Sequence, residues 1–324
     1  MTRLLPKDIA NLGLNWPEFD QNLLDLTGLD LFSLAAEALD LLPEDAPDHL
    51  AGQLAGQLAG KLTAVIPDTS GDGIIEGFSE TLVRVAERLG CRARMTGPDA
   101  GGWEEAKNWG ADFILTSNDD DFVCLNVKTG ARAQNGWATG LAFAQVLWRM
   151  AAKAPPEADL GDSGLSGLVM SGAVMSAGTL GRGDLAKGAS PRRAWGGGSL
   201  AGETVLVIGA GPVGSSAAWR LSRLGAQTVI RDILPAKAQN LALSVPGAVP
   251  WSPGQGAIPG GFKYILEAST SDEVWPEESL APGSSISCPG MPFSFHPSPR
   301  YRLWAEPLAT GTATMLLAAA FGVG

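Results

Sequence analysis

Val205-Leu206-Val207-Ile208 runs straight into Gly209-Ala210-Gly211-Pro212-Val213-Gly214, and the fold of the chain turns on that stretch. Four apolar, mostly β-branched residues make the pattern of a buried parallel strand. The glycines predict a turn tight enough for backbone N–H groups to approach a pyrophosphate. Ser215 to Leu224 continues as a helix with Ala217, Ala218 and Leu221 toward the sheet. The N-terminus of that helix offers the free donors and partial positive charge that an anion needs. A second strand, Gln227 to Ile230, leads to Asp232, near the usual distance of about 20 residues at which an acid accepts hydrogen bonds from an adenosine ribose. Glycine-rich turns also serve packing alone, but this strand and its acid favour a dinucleotide. An acid there selects NAD over NADP; Arg231 beside it is the opposing feature.

Downstream, Lys263 to Glu267, Ser284 to Ser287 and Tyr301 to Ala305 read as further strands, and Thr312 to Phe321 as a closing helix. Ligands in doubly wound sheets sit beyond the carboxyl ends of strands. Those ends carry Ala268-Ser269-Thr270, then Cys288-Pro289-Gly290-Met291-Pro292, then Glu306-Pro307-Leu308. Proline and glycine can simply turn the chain; three such loops in register with a glycine-rich turn point to a cofactor.

The chain has 324 residues, 45% of them hydrophobic, enough for a sizeable core and two domains. Its formal net charge of −11 argues against nucleic acid or an anionic membrane as partner and suits a cationic small substrate. Cys91, Cys124 and Cys288 lie far apart, without metal-ligand spacing, which predicts no metal site and fits a reducing cytoplasm. His49 and His296 are isolated. Met1 to Asp8 is charged with no apolar core behind it, which predicts no secretory signal. Gly161 to Gly181 is loaded with Gly and Ser, and Leu308 to Gly324 falls short of about 20 apolar residues, so the second reads as a packed helix and neither as a membrane span.

Ahead of the glycine turn the pattern alternates. Pro6 to Leu12, Phe19 to Leu26 and Asp30 to Leu42 have helical periodicity. Leu50, Leu54, Leu58 and Leu62 repeat every four residues, an expanded helix in which each glycine costs up to about 1 kcal/mol against alanine. Strands are expected at Ala64 to Pro67, Cys91 to Met95, Asp112 to Thr116 and Phe122 to Asn126, with Lys128-Thr129-Gly130 a turn. Helices fill in from Ile74 to Leu89, Trp103 to Trp109 and Ala138 to Ala152. This βαβαβ order implies a largely parallel sheet. Thr69-Ser70-Gly71 precedes a helix, where its hydroxyls either cap the helix or leave N–H groups for a substrate carboxylate. Asn118-Asp119-Asp120-Asp121 follows a strand, either as a solvated acidic turn or as a binder of ammonium groups. No lysine or histidine follows either motif, so the chemistry would rest on a neutral amine and a well-placed cofactor.

The expectation is an α/β protein in three parts. Residues 1–152 form leading helices and an α/β substrate domain, 153–202 a Gly/Ser/Pro-rich linker or insertion, and 203–324 a Rossmann NAD-binding domain. A homodimer is compatible with this plan.

These residues resemble the pyrrolysine synthase family, the last enzymes of pyrrolysine biosynthesis. The likeness begins at Leu4-Leu5-Pro6 and Thr27-Gly28-Leu29-Asp30, is dense from Val65 to Leu82, and recurs at Asp112 to Asn126 and Thr139-Gly140. It continues through Val205 to Gly214, Leu266-Glu267-Ala268, Ser287 to Pro292 and Glu306 to Leu316. Residues 50–62 and 153–200 fall outside it. The resemblance implies NAD-dependent oxidation of the terminal amine of 3-methyl-D-ornithyl-N6-L-lysine to a semialdehyde, then ammonia loss and ring closure. It also implies that Leu4 and Leu5 pack on substrate, that Thr69 and Ser70 hold a polar end, and that Asn118 or Asp119 contacts amine groups. Asn118 stands where the family pattern has an acid. Gly209, Ala210, Gly211, Pro212, Val213, Gly214, Asp232, Ala268, Ser269, Cys288, Pro289 and Glu306 would line NAD. Two other readings share parts of this plan. A shikimate- or methylenetetrahydrofolate-type dehydrogenase needs a lysine in the first domain's cleft, and Lys61 precedes its strand. A non-catalytic NAD-binding sensor would use residues 155–202 as a partner contact.

Overall fold

Three helices lead the described part of the chain: α1 (Trp16–Thr27), α2 (Leu31–Ala38) and α3 (Asp48–Leu58). The structure is a computed structural model, and it describes residues 16–43, 46–67, 77–117, 121–153, 200–251, 261–270, 274–290, 293–295 and 297–324. Asp30 caps α2, its carboxylate accepting the Ser33 N–H at 2.7 Å. The leucine repeat ends as a helix sooner than its period suggests. Gly60, at φ +74°, turns the chain out of α3, and Leu62, the last leucine of the repeat, opens strand β1 (Leu62–Ile66).

The first sheet is then built by α4 (Phe78–Arg88), β2 (Arg92–Met95), α5 (Asp99–Trp109), β3 (Phe113–Ser117), β4 (Phe122–Asn126) and β5 (Arg132–Gln134). Its order is β2-β1-β3-β4-β5. The first three strands are parallel, as the βαβαβ pattern predicts, whereas β4 and β5 run antiparallel to their neighbours. β5 was not expected, since Arg132-Ala133-Gln134 has no apolar run of its own. It exists because the turn after Asn126 folds it back on β4, Val123 opposite Gln134 and Leu125 opposite Arg132. The long helix α6 (Asn135–Ala152) follows.

The glycine-turn strand is β6 (Thr204–Ile208), followed by α7 (Pro212–Arg223), β7 (Gln227–Arg231), α8 (Pro235–Ser244) and β8 (Val249–Pro250). β9 (Tyr264–Glu267), β10 (Ser285–Cys288), β11 (Arg302–Ala305) and α9 (Ala309–Phe321) complete the chain. All six strands are parallel, in the order β11-β10-β9-β6-β7-β8. Counted from β6 as the first, this is the doubly wound 3-2-1-4-5-6 order of a Rossmann sheet. The expected α/β class and Rossmann half are therefore the observed ones.

Side-chain alternation assigns the two faces. Val205 and Val207 join the main apolar core, while Leu206 and Ile208 face a separate cluster with Ile265, Trp275 and Phe295. In β1, Val65 faces the main core, and Ala64 and Ile66 pack with Ala106 and Ile114 behind the first sheet. The main core thus lies between the sheets and is filled by α6, α7 and α9. Glycines let these helices approach closely. A Cβ at Gly140 would collide with the Ser216 hydroxyl and the Val213 carbonyl, and one at Gly136 would lie 3.0 Å from Pro212 Cβ. A Cβ at Gly311 would strike the Thr139 hydroxyl. The apolar C-terminal segment is accordingly a packed helix, with Ala309 through Ala319 buried. Among the described residues no helix is long and apolar enough to cross a membrane.

A buried polar knot ties the same helices. Glu37 of α2 takes a two-pronged ion pair from Arg149 of α6, with side-chain exposures of 2% and 7%. Arg220 of α7 donates to the Glu37 carbonyl at 2.9 Å and to the Gln145 side-chain oxygen at 3.0 Å, and its other arm meets Asp40. Three charges removed from water are tolerated here because each is in an ion pair, Glu37 with Arg149 and Arg220 with Asp40.

Candidate functional site

Six parallel strands end on one side of the Rossmann sheet, and their carboxyl ends face the first sheet across a cleft of about 610 Å³. The glycine turn forms its floor. Gly209 sits at φ +96°, where a side chain would strain the backbone. A Cβ there would also lie 2.7 Å from the Ala268 carbonyl, and one at Gly214 would collide with the Gly209 carbonyl. Gly211 differs: a Cβ at this position meets nothing within 4 Å, because it looks into the cleft. Gly211 is also the N-cap of α7, Pro212 occupies its first turn, and no side chain caps it. The first-turn donors and the positive end of the helix dipole therefore face open space, which suits a phosphate.

Asp232, at the end of β7, lines the same cleft. One of its oxygens accepts the Ala210 N–H at 2.7 Å and the other accepts the Leu234 N–H at 2.8 Å. The acid is thus locked onto the glycine turn, and each oxygen keeps a further lone pair for a hydroxyl. Arg231 lies over the Trp275 ring, 4.8 Å from its centroid.

The remaining Rossmann residues singled out from the sequence fall into two layers. Ala268, Ser269 and Pro289 line the cleft, along with Gly290 and Leu308. Cys288 and Glu306 lie behind it. Glu306, 2% exposed, accepts the N–H groups of Leu308, Ala309 and Thr310 at 2.6, 2.5 and 2.8 Å, and so caps α9 from inside the protein. Burial pushes its carboxyl above the usual range, although those three donors pull the other way. Cys288 is fully buried, and its thiol is pushed well up by burial and by the neighbouring Glu267 carboxylate. Among the described residues no group of three or more His, Cys, Asp or Glu side chains could hold a metal ion.

The opposite wall comes from the first unit. Phe78 of α4 and Phe122 of β4 meet edge to face with centroids 5.5 Å apart, and Gln134, Asn135 and Thr139 complete the rim. Leu4, Leu5, Thr69, Ser70, Asn118 and Asp119 lie outside the described residues. Of the acidic turn, Asp121 is described. Its two oxygens accept from Arg132 at 2.7 Å and Gln134 at 2.8 Å, so this acid is already paired within the β4–β5 hairpin. Lys61 is turned toward Asp112 and is not among the cleft residues. Sequence reading passed over Asn135 and Gly136. Their signal is the Gly136–Gly140 spacing, two glycines one helical turn apart in an otherwise helix-favouring segment.

By strand order and glycine turn the protein belongs to the class of Rossmann-type α/β proteins with a second α/β unit. Residues 19–133 match the family model described as pyrrolysine biosynthesis protein PylD, N-terminal domain. Along 98% of its length the chain is 27% identical to pyrrolysine synthase of Methanosarcina acetivorans, covering 98% of that protein, and equally identical to that of Methanosarcina barkeri, covering 97% of it. The chain is thus similar to pyrrolysine synthase along nearly its whole length. Solved structures similar to it include shikimate 5-dehydrogenase from Thermus thermophilus (13% identity, 81% of this chain and 92% of that one, TM-score 0.45). Another is 5-ketofructose reductase of Gluconobacter (14% identity, 80% and 91%, TM-score 0.44).

Proposed function

We propose that the protein is an NAD-dependent amine dehydrogenase that makes pyrrolysine from 3-methyl-D-ornithyl-N6-L-lysine. The observation that carries this reading is the pairing of two things. The cleft has a phosphate-ready floor and a ribose acid, and it sits in a chain related along its whole length to pyrrolysine synthase. When bound, NAD would supply a hydride acceptor for the amine-bearing carbon.

The protein's own residues then have defined tasks. Gly209, Gly211 and the first turn of α7 hold the pyrophosphate through backbone N–H groups. Asp232 accepts from the adenosine ribose, and its grip on Ala210 and Leu234 fixes that acceptor in place. Arg231 and Lys237 also line the cleft beside Asp232, so the preference for NAD over NADP rests on the Asp232 carboxylate. Ala268, Ser269 and Pro289 form the wall for the other half of the cofactor, with Cys288 and Glu306 supporting it from behind.

The substrate lies against the first unit. Leu4, Leu5 and the Phe78–Phe122 pair cover its aliphatic part, Thr69 and Ser70 hold its polar end, and Asn118 or Asp119 takes an amine. Loss of hydride and a proton from the terminal CH–NH₂ group leaves an imine. Water converts this to the semialdehyde and releases ammonia. The neighbouring amine then condenses with the aldehyde, water leaves, and the pyrroline ring closes. The proton lost from the amine passes to solvent.

NADH formation with the methylornithine–lysine dipeptide, compared with shikimate, tests the proposal. Turnover of the dipeptide alone supports it. Turnover of shikimate overturns it, and NAD binding without turnover of any substrate favours a sensor.

A further inference from the structure

Three turns of the Rossmann half abut one another backbone to backbone. A Cβ on Gly209 would lie 2.7 Å from the Ala268 carbonyl and 2.9 Å from the Ser269 nitrogen, and one on Gly290 would lie 2.6 Å from the Ser269 carbonyl. The turn after β9 is therefore wedged between the glycine turn and the turn after β10, with no side chain as padding. A shift in one must be passed to the others.

Beneath this stack lies Glu267, the last residue of β9, fully buried. Its carboxyl accepts the Ser269 N–H at 2.9 Å and also the Ser269 hydroxyl. The Cys288 thiol donates to its other oxygen at 3.4 Å, and the Ser294 hydroxyl adds a further hydrogen bond. A carboxylate accepts at both oxygens, whereas its isostere, a primary amide, turns one of them into a donor. Glutamine would fill the same volume yet replace one acceptor with an N–H₂ group, set either against the Ser269 N–H or toward the weakly accepting Cys288 sulfur. Such a mismatch in a dry site removes hydrogen bonds and leaves buried donors without acceptors.

We infer that Glu267 is a positioning residue for the cofactor wall: its buried carboxylate, through Ser269 and Cys288, sets the turns after β9 and β10 against the glycine turn. The inference rests on the NAD reading above. Glu267 does not touch the cofactor; Ser269 and Pro289, which line the cleft, do.

The test is NAD titration by tryptophan fluorescence, with steady-state kinetics and thermal unfolding, on the wild-type protein and on Glu267→Gln. The expected result is NAD binding weakened tenfold or more and KM for NAD raised to match, while KM for the amine moves less than threefold. Cys288→Ala should weaken NAD binding about threefold, and Cys288→Ser, which restores a donor, should recover most of that loss. Ser269→Ala should cost a similar factor. A role confined to packing would lower the melting temperature of Glu267→Gln and leave KM for NAD unchanged, and that outcome overturns the inference. If Glu267→Gln does not fold, wild-type affinity in both Ser269→Ala and Cys288→Ala overturns it. Failure of the wild-type protein to bind NAD would instead refute the cofactor reading itself.

Discussion

The two walls of the cleft are built on different principles. The Rossmann wall is backbone and strand ends: glycine turns stacked on one another, with Asp232 hydrogen-bonded to the turn it serves. The opposite wall is side chains, an aromatic pair and the polar start of α6, carried on a sheet whose last two strands are an antiparallel hairpin. Backbone geometry suits a ligand part common to many enzymes, and side chains suit the part that differs between substrates. On the proposed reading the first wall is a generic grip, and the second is where specificity is set.

That contrast holds only if the walls keep a fixed separation, which the knot of α2, α6 and α7 provides. The largest effect is expected there. Arg149→Ala would leave Glu37 buried and uncompensated, lowering unfolding free energy by about 3–5 kcal/mol in a denaturant titration. Next, Gly140→Ala drives a methyl into Val213 and Ser216, costing about 1–3 kcal/mol. It should also weaken NAD and amine binding together, because it moves α7 against the first unit. An effect on one ligand alone would break the comparison. On the generic wall, Asp232→Ala should raise KM for NAD roughly tenfold, as expected for losing hydrogen bonds to a charged acceptor. An unchanged KM removes Asp232 from the ribose role. On the specific wall, Asp119→Asn should cut dipeptide turnover while NAD affinity stays. The smallest effect is expected for Asp121→Asn. Its ion pair with Arg132 is partly exposed, so the cost should stay below about 1 kcal/mol, with turnover nearly unchanged. Equal losses at 119 and 121 would mean that the whole acidic turn works as one field.

The generic wall was also the legible one. Its strands are apolar runs, its turn is glycine-rich, and its acid follows at a fixed interval, so local pattern and tertiary role coincide. Even there, Glu306 reads as a cleft acid but lies inside, because three N–H groups at the start of α9 need an acceptor. In the first unit the parallel strands were readable, while β5 was not, since its three residues become a strand only by pairing with β4. The four-residue leucine spacing suggested helix through Leu62, but Gly60 and the β-branched residues after it favour a strand. Least visible was the joint between the units. Gly136 and Gly140 carry only low helix propensity as a local signal, and their purpose appears only when α7 is set beside them.

The last helix has a consequence for the order in which the protein can assemble. α9 follows the final Rossmann strand, yet it packs on α6, α2, α4 and the β4–β5 hairpin, and its Ala319 carbonyl accepts from Asn126 of the first sheet at 3.2 Å. During synthesis the first unit emerges early, but the helix that covers its apolar side is made after every other described element. Until then α2, α4 and α6 hold exposed apolar faces, a period in which chaperone binding or aggregation competes with folding. The two units are consecutive for most of the chain but mature as one body, and a fragment ending at Ala152 would lack the piece that closes its own core.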